Sequence, residues 1–260
     1  MQNLRAGAVL AVFLAVTFLL MPLQWLFVKL GLGWRKSFPH AYHKFVAYLF
    51  GIHIRVIGEP VRGQGVLLLA NHTGWMDIVI FSAVMPLSFV AKSEVGTWPF
   101  FGSLARLQRT VFVTRTRRSQ TGEARDDIRD RLAAGDALVL FPEGTSSDGN
   151  RVLPFKSALL GAAEVEVNGR HVLVQPVSTA YTGIHGIPMG RENRPLFAWY
   201  GDMELVPHLW AALKAGPLDV VMEFHAPLSL DQMDRKQLAK EAEIQVRTGQ
   251  QRALSGARLS

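Results

Sequence analysis

The sequence predicts an α/β fold, a single mixed sheet flanked by helices, with an N-terminal membrane-anchoring helix or helical hairpin ahead of it. Three observations carry this. Two short apolar runs, 66–70 and 137–141, are each closed by a polar turn, Asn71-His72-Thr73-Gly74 and Pro142-Glu143-Gly144-Thr145. Runs of that length, bounded on both sides, read as buried strands, and ligands gather at the carboxyl ends of strands in such sheets. Segments that suit helices, 76–84 and 120–134, alternate with them. Finally, residues 6–23 depart from strong apolarity only at Gly7, Thr17 and Pro22, which is enough length to span or deeply enter a bilayer.

In order along the chain, 6–23 continues as an apolar stretch to Val28. A cleaved leader fits poorly, because the run is too long and no small-x-small site closes it. Lys29, Arg35, Lys36 and Lys44 outnumber Arg5, which puts the catalytic part on the cytoplasmic side if the helix spans. Alternatively, Pro22 kinks it into a hairpin held in one leaflet with the next segment. That segment, 38–50, spaces Phe38, Tyr42, Phe45 and Leu49 as one helical stripe, suited either to a membrane interface or to packing on the core. His40, His43 and His53 have no metal-ligand spacing and read as surface or packing residues.

Beyond the first motif the pattern predicts a helix over 76–84, a strand at 88–92, a short helix around 99–107 and a strand at 110–114. Trp98, Phe100 and Phe101 form an aromatic knot beside Pro99, suited to core packing, with an acyl-chain wall or a membrane contact as the alternative. The helix over 120–134 stops at Gly135. After the second motif come a small-residue helix at 157–165 and a strand at 172–181, where Pro176 suggests an edge or a bulge. Glycines and prolines make 182–204 a long loop carrying Trp199, Tyr200 and Asp202; 219–225 reads as a last strand and 231–246 as a polar helix. The domain division expected is an anchor at 1–57, a catalytic domain at 58–248 and a flexible tail at 249–260.

Composition narrows the function. The 260 residues hold 28 Lys and Arg against 21 Asp and Glu, a net charge of +7, and the pI is about 10.0. Such a surface favours anionic partners, and with no nucleic-acid motif present, lipid is preferred over nucleic acid. There is no cysteine, which removes disulfides, thiolate metal sites and a cysteine-bound acyl intermediate together.

The chemistry lies in the motifs. A histidine at a strand end, held by a carboxylate, takes a proton near neutral pH. Asp77 follows His72 by five residues, and a turn made easy by Gly74 lets it point back at the imidazole. Asn71-His72-x4-Asp77 followed by Phe141-Pro142-Glu143-Gly144-Thr145 resembles the glycerolipid acyltransferases of the 1-acylglycerol-3-phosphate type. Lys92-Ser93-Glu94 through Pro99 and Gly102 to Arg115 looks like that family's second block, and Val174-Gln175-Pro176-Val177 through Tyr181 like its fourth.

The resemblance, over about residues 66–181, implies an acyltransferase-like α/β fold and transfer of a fatty acyl group from acyl-CoA or an acyl carrier protein to 1-acyl-glycerol-3-phosphate. No cofactor or metal is implied. His72 is the implied general base, oriented by Asp77, with backbone amides of the following turn as oxyanion candidates. Asn71, Glu143, Gly144 and Thr145 are implied around the substrate, Arg115 on the acceptor's phosphate, and Glu143 as a group that orients Arg115 or an acceptor hydroxyl. Arg106, Arg109, Arg117 and Arg118 share that arginine-rich stretch.

Two positions depart from the family's pattern. Ser146 follows Thr145 where an arginine is common, and Gly74 stands where a serine is common. Either Arg151 or Lys156 replaces the missing cation, or the acceptor is another lysolipid, such as lyso-ornithine lipid. Rival functions are a lipid hydrolase, for which no G-x-S-x-G elbow exists around Ser103, Ser157 or Ser178, and a basic membrane-binding scaffold without turnover.

Overall fold

The computed structural model describes residues 1–113, 118–167 and 169–256, with side chains of 118–123 outside that description. The centre of the sheet is strand β2 (Val66–Ala70), every residue of which is buried. Its side chains alternate: Val66, Leu68 and Ala70 enter one apolar layer, Leu67 and Leu69 the other. A strand covered on both faces needs a continuous apolar run, and this one has it.

Helices α1 (Gln2–Lys29) and α2 (Trp34–Phe50) precede β1 (Ile52–Ile57); after β2 come α3 (Met76–Val84), β3 (Ser88–Lys92), α4 (Phe101–Leu107), β4 (Val111–Val113), α5 (Arg118–Ala133) and β5 (Ala137–Leu140). A 3-10 helix, Ser157–Glu164, leads to the small hairpin β6 (Glu166–Val167) and β7 (Arg170–His171), then to β8 (Leu173–Ile184), β9 (Ile187–Pro188), α6 (Leu205–Ala215), β10 (Leu218–Phe224) and α7 (Arg235–Leu254). The main sheet runs β1-β10-β8-β2-β5-β3-β4, with β9 on β8. It is mixed: β10 is antiparallel to β8, while β8, β2, β5, β3 and β4 run parallel.

Three expectations need revision. The boundary at 57/58 cuts away the sheet's own edge, because β1 pairs with β10 from Ile52 to Ile57. The tail expected from 249 is still helix to Leu254, since Ala253 packs against Ala180 and Val221. Pro176 sits in a central strand, not at an edge. β10 has ended beside it, His225 donates its N–H to the Pro176 carbonyl, and the His225 carbonyl that proline cannot serve accepts from the Gln175 side chain at 3.0 Å. A neighbouring side chain thus supplies the donor that proline lacks.

Helix α1 runs unbroken through Pro22 and buries one stripe, Ala6, Phe13, Thr17, Gln24 and Phe27. Near its start, Arg5 donates to the Leu213 carbonyl of α6 at 2.6 Å. In its middle, the Thr17 and Tyr42 hydroxyls are 2.6 Å apart, and near its end Gln24 donates to the Leu107 carbonyl of α4 at 2.8 Å. Its other faces expose Leu19, Trp25 and Leu26. The helix therefore lies along the catalytic domain over most of its length.

Candidate active site

His72 and Glu143 each stand three residues past a paired position, since Leu69 pairs with Leu140 across parallel β2 and β5. Both turns therefore open at the same end of the sheet. The backbone N–H of His72 donates to Glu143 Oε1 at 3.1 Å, and the next turn closes through Ser147 N–H donating to the His72 carbonyl at 2.9 Å. The motif histidine is held by its backbone from two sides before its ring is considered.

The ring is held as well. His72 Nδ1 lies 2.8 Å from Asp77 Oδ2, the same oxygen that accepts the backbone N–H groups of Thr73 at 2.7 Å and Gly74 at 3.1 Å. The second oxygen accepts from the Tyr181 hydroxyl at 3.0 Å. Asp77 is fully buried on the first turn of α3, and these partners engage both of its carboxylate oxygens. Burial and the neighbouring Asp77 charge raise the pKa of Tyr181 well above its usual value, so its hydroxyl stays a donor. The imidazole stacks on Phe141 with ring centroids 4.1 Å apart. With Nδ1 committed to the carboxylate, Nε2 is the nitrogen left for a ligand.

His72 lines a cleft of about 1000 Å³ with Phe141, Gly144, Thr145 and Ser146. Its walls also include Leu20 and Met21 of α1, Phe38 of α2, Leu104 of α4, and Ala158, Leu159 and Ala162. Its predominantly apolar wall suits an acyl chain.

The other predicted residues fall into two groups. Gly144 and Thr145 line the cleft beside His72. Asn71 does not line the cleft: it is fully buried, its amide donating to the Thr179 carbonyl at 2.9 Å and its oxygen accepting Thr179 N–H at 2.8 Å, a clamp between β2 and β8. Glu143 is buried also, and its Oε1 is turned to the backbone N–H of His72 and not to the cleft. Burial pushes its pKa up to about 8.

Arg151 and Lys156 do not line the cleft. After Ser147 a turn through Gly149, at φ 78°, carries Arg151 into solvent, and Lys156 is exposed where its backbone N–H meets the Pro142 carbonyl. Arg109 turns to Asp136 at 2.6 Å and Arg106 to the Gly96 carbonyl, both serving the fold. Arg115 and Arg117 lie outside the described residues, as does the side chain of Arg118. The oxyanion expectation also shifts, because Thr73 and Gly74 N–H groups are already bound to Asp77. Among the described residues, the N–H groups of Thr145 and Ser146 have no partner, and both residues face the cleft.

Sequence reading missed Tyr181 as a donor to Asp77 and Trp199 as a neighbour of the motif turn. Nothing local marks either one. The Trp199 N–H donates to the Thr73 carbonyl at 2.9 Å, a contact between residues 126 positions apart whose only sequence trace is Gly74. A Cβ there would lie 2.8 Å from Trp199 N.

Residues 53–180 match the acyltransferase family model. The chain is 50% identical over 258 residues to a lyso-ornithine lipid O-acyltransferase of Brucella abortus, covering 98% of this chain and 97% of that protein. A lyso-ornithine lipid O-acyltransferase of Rhizobium meliloti is 47% identical over 86% of this chain and 78% of its own length. A 1-acyl-sn-glycerol-3-phosphate acyltransferase of Neisseria gonorrhoeae is 33% identical over 64% of this chain and 61% of its own length. The crystal structure of the 1-acyl-sn-glycerophosphate acyltransferase from Thermotoga maritima superposes with a TM-score of 0.68 at 23% identity, covering 100% of both chains.

Proposed function

The chain belongs to the acyltransferase family, and from that premise we propose that it moves a fatty acyl group from an acyl thioester to the free hydroxyl of lyso-ornithine lipid. The observation that carries the acceptor is similarity along almost the whole chain to a relative named for that reaction. Relatives named for 1-acylglycerol-3-phosphate, the acceptor first expected, are less similar and match a shorter stretch. Ser146 at the position where that group commonly has arginine supports the same choice.

In this reading His72 Nε2 removes the acceptor's hydroxyl proton as the oxygen attacks the thioester carbonyl. Asp77 stabilises the imidazolium and keeps the ring oriented. The N–H groups of Thr145 and Ser146 receive the oxyanion, a role that contributes a few kcal/mol at such sites. The C–S bond then breaks, and the proton on His72 passes to the departing thiolate, from either coenzyme A or a carrier protein.

The apolar helix and the enzyme family associate the protein with membrane. We place it in one leaflet, on the cytoplasmic face. Arg5 and Gln24 both bind the same α/β domain, yet nineteen residues of helix separate them by about 29 Å, close to the thickness of the hydrocarbon core. A helix tied to one domain at both ends fits an in-plane anchor.

The test is purified protein with radiolabelled acyl-CoA and acyl carrier protein in separate arms, each offered lyso-ornithine lipid or lysophosphatidate. Ornithine lipid should be the labelled product. Faster labelling of phosphatidate in both arms would overturn the acceptor.

A further inference from the structure

Both departures from the family's pattern meet at one residue, Trp199. Gly74 has φ 152°, and a Cβ on it would sit 2.8 Å from Trp199 N and 2.9 Å from Trp199 Cβ. The bare glycine is what lets the Trp199 backbone rest on the motif turn. On its other side, Ser146 Oγ donates to the Trp199 carbonyl at 2.6 Å. The indole is fixed too, its Nε1 donating to the Met203 carbonyl at 2.8 Å.

Held this way, Trp199 meets Trp98 edge to face, with centroids 5.8 Å apart and ring planes at 82°. Trp98 comes from the β3–α4 connection, so the pair joins two loops, and both indoles line the same cleft as His72, Thr145 and Ser146. Trp98 is 37% exposed. Among the described side chains the cation over an aromatic face is Lys29 on Trp25, so neither indole of the pair is already occupied by a cation.

We propose that Trp98 and Trp199 form an aromatic corner that receives the alkylammonium group of the acceptor. This rests on the lyso-ornithine reading. Ornithine amidated through its α-amino group keeps a free carboxylate and a δ-ammonium, whereas a phosphate monoester carries only negative charge. A pair of π faces attracts the former head and gives the latter nothing. Gly74 and Ser146 act as positioning residues by seating Trp199, and the site selects its acceptor by the head group's cation.

Acyl-transfer kinetics on the full chain, using lyso-ornithine lipid and the same lipid with its δ-amine acetylated, test this. Wild type should show a KM about tenfold higher for the acetylated acceptor, the scale of a desolvated cation–π contact. Trp98→Leu should raise KM for the charged acceptor by a similar factor with kcat within about twofold, leave the acetylated acceptor unchanged, and be rescued by Trp98→Phe. Trp199→Leu should do the same if it folds; Trp98, at the surface, keeps the test open if it does not.

Equal KM for both acceptors in wild type, or an equal rise for both in Trp98→Leu, overturns the aromatic corner while leaving the acceptor intact. Failure of wild type to acylate lyso-ornithine lipid at all removes the acceptor reading and this proposal with it.

Discussion

Glu143 Oε1 accepts the backbone N–H of His72 at 3.1 Å, while its second oxygen is buried without a partner. The pair bridges adjacent strand ends, so a residue from β5's turn sets the backbone of the residue that ends β2. Desolvation is the largest influence on Glu143 and favours its neutral form. Geometry separates the two carboxyl groups: Asp77 meets the His72 ring, whereas Glu143 meets its backbone.

Glu143 makes stability fall as pH rises. Its folded pKa, about 8, lies above the ordinary value of 4.5. Between these values the unfolded chain has lost the proton and the folded chain keeps it, so ionisation favours unfolding. Glu143→Gln removes this dependence. The variant's Tm relative to wild type should climb from about pH 5 to pH 8 and level off above, while transfer stays within about threefold because an acceptor oxygen remains. A Tm difference flat across that range would disprove the assignment.

His72→Ala should lower transfer by 100-fold or more, on the order of the usual contribution of a positioned general base. Asp77→Asn should fall at least as far, because it disturbs both the imidazole and the Thr73 and Gly74 amides that share Oδ2. Near-wild-type rates from either variant, with unchanged circular dichroism, would remove His72 from the mechanism.

Tyr181→Phe deletes one of the four hydrogen bonds to Asp77 and keeps the ring. Losing a hydrogen bond to a buried charge costs about 1.5–3 kcal/mol. Denaturant unfolding should show a loss on that scale, with a several-fold drop in kcat and little change in KM.

Gly74→Ala forces a Cβ against the Trp199 backbone at a φ that side chains rarely adopt. We expect about 1–3 kcal/mol of destabilisation by denaturant unfolding, the cost of such strain. Transfer should fall with it, since the displaced Trp199 backbone is hydrogen-bonded to Thr73, next to His72. Wild-type stability would show that the loop moves freely.

The absence of native cysteine makes anchor topology directly testable. Single substitutions Asn3→Cys and Gly33→Cys, near the two ends of α1, should both react with a membrane-impermeant maleimide from the cytoplasmic side of inverted vesicles. A spanning helix would expose only one of them there.

Strand β2, the β5 motif and the apolar helix were legible because each is a local pattern: a bounded apolar run, a turn, a long apolar stretch. The family resemblance implies Asn71 and Glu143 as substrate contacts, yet each turns inward to satisfy a distant backbone group. Pro176 looked like an edge residue because the Gln175 amide that substitutes for its missing donor is visible only once β10 ends beside it. The role of Thr73 and Gly74 amides depended likewise on which acceptor reached them first.

By itself the sequence determined the residue types at the motif, their spacing, the two-sided burial of the central strand and the lack of a thiol route, since these follow from local periodicity and composition. Only the tertiary structure decided that Tyr181 steadies Asp77, that α1 lies along the domain, and that Trp98 and Trp199 meet above the cleft. The hydrogen-bonded partners are far apart in the chain, 83 residues for Gln24–Leu107 and 104 for Asp77–Tyr181. Their meeting is set by strand order and helix packing, which a side chain's immediate neighbours in sequence do not encode.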